Sequence, residues 1–269
     1  MNAAVNAATS IDSFRPEHIP PEEWRARVDL AACCRLHAHY GWTDLIYTHI
    51  SARVPGTQEH FLLNPFGLMF DEVTASNLVK IDLDGNVIAS QGHAIHRAGF
   101  VIHSAIHAAR PDAQCVIHSH TRAGMAVSCL PEGLLNLTQH ATFFHGRVAY
   151  HDSEGVATDM SERERLAHDL GNKQVMILRN HGTLVAGRTV AQAFSMMWHL
   201  ERAMQAQVDV LAMGRGHTIL ADKLAQKVSD MGYNTPGEVR ANGTVNPMGF
   251  AEWPALLRLV DRLDPSFKT

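Results

Sequence analysis

The sequence predicts one α/β domain with a helical extension at its C-terminal end. Three features carry that reading. Between about residues 45 and 90, short apolar runs alternate with tight-turn residues, the pattern of a sheet built from hairpins. From Arg97 onward, segments with helical apolar spacing alternate with short continuous apolar runs, the pattern of helices packed on buried strands. The longest periodic segment, residues 189–213, puts Phe194, Met197, Leu200, Met204, Val208 and Leu211 on one stripe and closes at Gly214.

The elements follow in order. Residues 1–20 are Ala/Asn/Ser-rich and then Pro-rich, so a loose arm is expected there. Pro20 and Pro21 lead into Glu22-Glu23-Trp24, a helix start with acids in its first turn, and Gly41 stops that helix. Leu45-Ile46-Tyr47 is expected to feed a strand through Thr48 to Arg53, and His60 to Leu63 reads as another. Asp84-Gly85, between Leu78–Asp82 and Val87-Ile88, signals a hairpin. Phe100, Ile102, Ala105, Ile106 and Ala109 suit a helix from Arg97 that Pro111 ends. A strand into His118 and a short helix from Thr121 to Cys129 come next. Phe143, Phe144, Val148 and Tyr150 suggest a further strand region. Ser161 with Glu164 offers a capping box for a helix to about Leu170. Strands then run to Leu178 and from Thr183 to Gly187, and a last helix spans about Phe250 to Leu263. The expected divisions are an arm at 1–20, the domain at 21–215 and the extension at 216–269 packed on it.

Composition narrows the function. At 269 residues and 46% hydrophobic, the chain can bury a large core. Lys+Arg minus Asp+Glu is 23 − 27 = −4, so no basic surface points to nucleic acid. Cys33, Cys34, Cys115 and Cys129 form no CxxC pair and lie in apolar stretches, as in a reduced, cytoplasmic protein. The N-terminus lacks the charged and apolar regions of a secretory signal. No run of about 18 apolar residues exists, so no membrane span is expected.

His118-Ser119-His120 closes the apolar run that starts at Ala113. Alternate side chains of a strand share a face, so Val116, His118 and His120 lie together. His181 comes 181 − 120 = 61 residues later, just past Val175-Met176-Ile177-Leu178. Two buried strands of one sheet, each ending in histidine, would converge on one ion. Scattered placement among 18 histidines is the alternative.

Tyr47-Thr48-His49-Ile50-Ser51-Ala52-Arg53, Asn64-Pro65-Phe66-Gly67, Arg110-Pro111-Asp112, His118-Ser119-His120 and Asn180-His181-Gly182 occur in the order found in the class II aldolase/adducin family. Over about residues 22–215 the chain resembles that family, and from Ala98 to Ile106 it resembles the adducin-type branch most. The resemblance implies a three-layer α/β/α fold around a mainly antiparallel sheet. It implies a homotetramer with active sites at subunit interfaces. It also implies that His118, His120 and His181 bind a divalent ion, zinc first, with manganese or iron as alternatives. In the aldolases that ion polarises a carbonyl and stabilises the enediolate left when a C–C bond breaks.

Three departures shape the expected substrate. Sugar-phosphate aldolases of the family carry a carboxylate four residues before the position of His103, and here that position is Gly99. The serines that help hold phosphate fall on Arg97 and Ala98, and the Gly-Asn of the first phosphate loop falls on Thr48-His49. An unphosphorylated small molecule is therefore expected, with a carboxylate for Arg97 to grip. His49 and Asn64 are the other candidate substrate contacts, each with a plainer reading as a loop histidine and a turn cap. His140 and His103 are the candidate catalytic groups. His140 lies roughly where aldolases place a proton-donating tyrosine, whereas His103 and His107, at i and i+4, could instead be packing.

The leading expectation is a metal-dependent lyase that cleaves next to a carbonyl by retro-aldol or decarboxylating chemistry. A non-heme iron oxygenase of the same family is the runner-up. A non-catalytic assembly module is the third, because adducin heads also resemble the chain at His-x-His and Asn-His-Gly. The chain shows no long polar neck or basic tail, so no membrane-skeleton role is expected.

Overall fold

A computed structural model describes residues 11–232 and 246–269. The expected N-terminal arm falls partly on residues 1–10, outside the described residues. Helix α1 (Pro21–His39) opens with Pro21 at its first position and Glu22 and Glu23 in its first turn. Gly41, at φ 70°, turns the chain out of it. Strands β1 (His49–Arg53), β2 (His60–Leu63), β3 (Val79–Asp82) and β4 (Val87–Ala89) form an antiparallel meander. The Asp82 carboxylate accepts hydrogen bonds from the N–H groups of Asp84 and Asn86, which folds the last hairpin back at Gly85.

Helix α2 (Arg97–Ala109) crosses to β5 (Cys115–Ser119), and α3 (Arg122–Ser128) follows, capped by Thr121. Then come α4 (Gln139–Thr142), β6 (Val148–His151), α5 (Glu162–Leu170), β7 (Val175–Leu178), β8 (Gly182–Gly187) and α6 (Val190–Ala212). Two short helices, α7 (Asp222–Ser229) and α8 (Glu252–Leu263), complete the chain.

Among the described residues 8 strands join one sheet in the order β4-β3-β2-β1-β5-β8-β7-β6, antiparallel except for β6 with β7. Alternate residues feed two separate cores, which makes three layers. Ile50, Cys115, Ile117, Ile177 and Val185 pack under α1 and α6. Phe61, Ile81, Val116, Met176 and Leu184 pack under α2 and α5. The fold is α/β with a mainly antiparallel sheet, as expected.

The C-terminal helix is tied to α1 by a hydrogen bond from Trp253 Nε1 to Asp29 Oδ1 at 2.9 Å. Arg35 reaches Asp264 and Ser266 beyond it.

Local expectations fail in four places. Leu45 to Tyr47 forms a turn, with Leu45 at φ 49°, and the strand starts only at His49. Phe143 and Phe144 are buried apolar residues that follow α4 and do not enter β6. Ser161 makes no side-chain cap; the Asp159 carboxylate accepts from the Ser161 N–H instead. Along α6 the stripe is buried through Met204, but Leu211 is exposed, because the helix outruns the core it covers. Helix α7 lies within the expected C-terminal helical extension, ahead of the one helix placed there by its periodicity.

His37 of α1 has no exposed surface, and the rings of Trp42, Phe70 and Phe194 surround it. Burial pushes its imidazole down to about 4, against the hydrogen bond from its Nδ1 to the Cys33 carbonyl at 2.8 Å. The unfolded chain takes up this proton near pH 6.5, whereas the folded chain resists until about pH 4. Stability is thus fully present above about pH 6.5 and falls as pH drops toward 4. His37 alone should contribute about 2 kcal/mol of that loss by pH 5. Urea unfolding at pH 7 and pH 5 should show a smaller loss for His37→Leu than for the unsubstituted chain.

Candidate metal centre

Sheet pairing builds the site. β5 lies between β1 and β8, and its register sets His118 opposite His49 on one side and Leu184 on the other. His120 lies just past the strand end. His181 is delivered by the tight turn between β7 and β8. Asn180 takes φ 57° there, a left-handed position that Asn tolerates well. Gly182 has no Cβ because one would strike the Ser119 carbonyl and approach the His120 ring at 3.2 Å. The order Asn-His-Gly is therefore what this turn requires.

The three imidazoles meet through the same atom. His118 Nε2 lies 2.8 Å from His120 Nε2, which lies 3.0 Å from His181 Nε2. These residues are the cluster with metal-binding geometry among the described residues. His118 Nδ1 donates to the Thr183 carbonyl at 3.0 Å, and His120 Nδ1 donates to Asp44 Oδ2 at 2.9 Å. A neutral imidazole carries one proton, so both Nε2 atoms present bare lone pairs to each other. Two lone pairs at 2.8 Å repel unless a cation lies between them. A tetrahedral zinc ion asks for nitrogen ligands about 3.3 Å apart, so small ring shifts suffice to hold one. The carbonyl and the carboxylate behind the rings are the outer partners that orient metal-binding histidines.

Burial disfavours the charged form of His118 and His181. It pushes His118 well below the ordinary histidine value, with neighbouring imidazoles adding to the effect, and His181 down to about 4.

A second set of imidazoles backs the first. The His49 ring stacks on His118, with centroids 4.9 Å apart. His49 Nδ1 lies 3.0 Å from His103 Nε2. His103 Nδ1 meets Ser51 Oγ at 2.5 Å, and Ser51 Oγ meets His107 Nε2 at 2.8 Å. His107 Nδ1 ends the chain on the Ala113 carbonyl at 3.1 Å. Burial pushes His49 and His107 well below the usual value, and His103 down to about 3.

Gly99 of α2 faces this set. A Cβ there would lie 2.8 Å from His49 Cδ2 and 2.9 Å from its Cγ. The His49 ring therefore fills the space that a side chain at residue 99 would need.

The other sequence candidates fall elsewhere. Asn64 is buried, and its side chain is engaged by the β1 backbone: Oδ1 accepts from the Ile50 N–H at 2.9 Å and Nδ2 donates to the Thr48 carbonyl at 3.4 Å. Arg97 is exposed at the start of α2, with its guanidinium 5.7 Å from the Phe100 ring centre. His140 stands in another cluster, its Nδ1 2.9 Å from His199 Nδ1 and its ring beside Trp198. A cavity of about 440 Å³ lies between α6 and α8 and is lined mainly by apolar and aromatic groups such as Tyr40, Phe194 and Trp198. The histidine cluster, where the ligand chemistry is concentrated, is the stronger candidate site.

Sequence reasoning missed Asp44, Ser51 and the Thr183 carbonyl. Ser51 was detectable, since it lies two residues after His49 on one strand face. Asp44 sits in an irregular turn with no spacing signal.

Comparison with known proteins shows the family and the fold. Residues 28–208 match the class II aldolase and adducin N-terminal domain. A class 2 aldolase-type protein of Caulobacter vibrioides is 50% identical over 247 residues, covering 91% of this chain and 92% of the relative. Rat alpha-adducin is 43% identical over 88% of this chain, which spans 33% of that protein. The crystal structure of an aldolase II superfamily protein from Pseudomonas syringae superposes with a TM-score of 0.86 at 49% identity, covering 93% of this chain and 98% of that one. L-fuculose 1-phosphate aldolase from Glaciozyma antarctica superposes at 0.78 and 28% identity, covering 95% and 97%.

Substitutions at four places test the site: the three histidines, Asp44, Gly99 and His49. His118→Ala, His120→Ala and His181→Ala should each lose most bound metal by elemental analysis while staying folded. Asp44→Asn should weaken binding by about tenfold or more, because an outer partner is lost. Gly99→Ala should destabilise the protein by about 1–3 kcal/mol through overpacking against His49. In a His49→Ala background the same substitution should cost less, and a double-mutant cycle of thermal unfolding measures the difference.

Proposed function

The chain belongs to the class II aldolase and adducin family, and from that premise we propose that it is a metal-dependent lyase acting on a C–C bond next to a carbonyl in an unphosphorylated substrate. The supporting observation is the convergence of three Nε2 atoms, two of them on rings whose Nδ1 atoms face an acceptor. A divalent ion held there, zinc before manganese or iron, would polarise a carbonyl and stabilise the charge left as the bond breaks. His118, His120 and His181 hold the position. Thr183 and Asp44 keep the rings turned toward it.

The substrate class follows from what surrounds the cluster. Thr48 and His49 stand where sugar-phosphate aldolases place a phosphate loop, and both are buried uncharged groups. Ala98 is buried as well. No cradle for a phosphate dianion is left on that side. Arg97, exposed two residues before Gly99, is the guanidinium proposed for a substrate carboxylate, although no contact joins it to the histidine cluster among the described residues. The assembly proposed is a homotetramer with the sites at subunit interfaces. No described helix is long and apolar enough to cross a membrane.

A second reading, a non-catalytic assembly module like an adducin head, has one observation in its favour. The identity to alpha-adducin is higher than that to the fuculose phosphate aldolase.

Metal content separates the readings. Protein purified without added metal should hold about one zinc ion per chain, lose it to a chelator together with lyase activity, and regain both when zinc is restored. Oxygen-sensitive iron would move the assignment to an oxygenase. A folded, metal-free protein would move it to the assembly module, and turnover in metal-free protein would reject the mechanism. Light scattering at micromolar concentration should give a tetramer mass.

A further inference from the structure

The buried chain behind the metal centre has a direction, and the direction can be read from its ends. A backbone carbonyl only accepts, so His107 Nδ1 must carry the proton that reaches Ala113. Neutral His107 then has a bare Nε2, which accepts from the Ser51 hydroxyl. With its one proton committed, Ser51 Oγ must accept from His103 Nδ1. His103 Nε2 is then bare and accepts from His49 Nδ1–H. One proton per ring leaves His49 Nε2 bare as well. Each of His49, Ser51, His103 and His107 is at most 3% exposed, and no carboxylate pairs with any of them. Charging one of these rings would bury an unpaired cation, so the neutral assignment stands.

His49 Nε2 has no protein partner among the described residues, and its ring lies against both Gly99 and His118. We infer that His49 is a specificity-determining residue: its Nε2 is locked as a hydrogen-bond acceptor for a hydroxyl of a ligand at the metal centre, and Ser51, His103 and His107 are the positioning residues that lock it. The fixed acceptor occupies the space vacated at residue 99 and selects hydroxyl-bearing ligands over those that offer only acceptors or methyl groups there. This rests on the reading that the three histidines of the cluster hold an ion, and it names a property of the substrate that the ion alone does not determine.

The test uses the zinc-loaded full chain. Long-range imidazole ¹⁵N–¹H spectra, with His49→Gln to assign the signals, should show His49 protonated at Nδ1 and bare at Nε2. Ser51→Ala removes the relay between His103 and His107, so the His49 signal should become a mixture of both tautomers at unchanged zinc content. Binding is read with two zinc-chelating probes that differ by one hydroxyl, glycolohydroxamate and acetohydroxamate. The unsubstituted chain should prefer the hydroxylated probe by about fivefold, the size of one neutral hydrogen bond. His49→Gln should abolish the preference. A His49 tautomer protonated at Nε2, a tautomer untouched by Ser51→Ala, or equal affinity for the two probes would each overturn the inference. Failure to retain zinc in the unsubstituted chain would instead reject the reading on which it rests.

Discussion

The pairing of β5 with β1 on one side and β8 on the other is the constraint on which the site depends. That register brings the Thr183 carbonyl to His118 Nδ1 and the His49 ring onto the His118 ring. A slip of one residue would turn His118 to the opposite face, into the core under α1 and α6, and take the imidazole with it. The slip is resisted because the same strand alternates Val116 into one core and Cys115 and Ile117 into the other. The hydrophobic pattern that holds the sheet in place is thus the device that aims the ligands.

Much of this was legible in the sequence, and the legible parts share a cause. Elements with strong periodicity or an unambiguous stop, such as α2 ending before Pro111 or the hairpin at Asp84-Gly85, are decided locally. The three metal-binding candidates were readable because strand ends and a tight turn impose residue choices: alternation for His118 and His120, and a left-handed Asn followed by a crowded Gly for His181. The failures were set by distant contacts. Leu45 to Tyr47 has strand composition, yet the chain turns there. The same turn brings Asp44 to His120, a contact 76 residues long in sequence. Asn64 looked available for a substrate, but buried β1 backbone groups engage its amide.

Gly99 shows how a gap in a family pattern can be misread from sequence alone. A missing carboxylate suggests a site with one group removed. The geometry shows the position replaced from across the layer, since the ring of His49 on β1 fills the volume beside α2. The two positions are coupled by contact: a side chain at 99 and an imidazole at 49 exclude each other as the backbone stands. An aldolase-like carboxylate could be restored here only by changing both.

That exchange has a chemical consequence for the neighbourhood of the ion. A carboxylate at residue 99 would bring a negative charge toward the three imidazoles, whereas His49 brings none. Asp44 supplies negative charge from behind, through His120, but it is half-buried and one residue removed from the Nε2 atoms. A divalent ion held by these histidines would therefore keep most of its positive charge unneutralised by protein. A site of that kind favours a ligand that brings its own anionic oxygens, whether from a carboxylate or from a carbonyl taking on charge. The residues at 49 and 99 are thus one structural unit, because the ring of His49 fills the space beside Gly99.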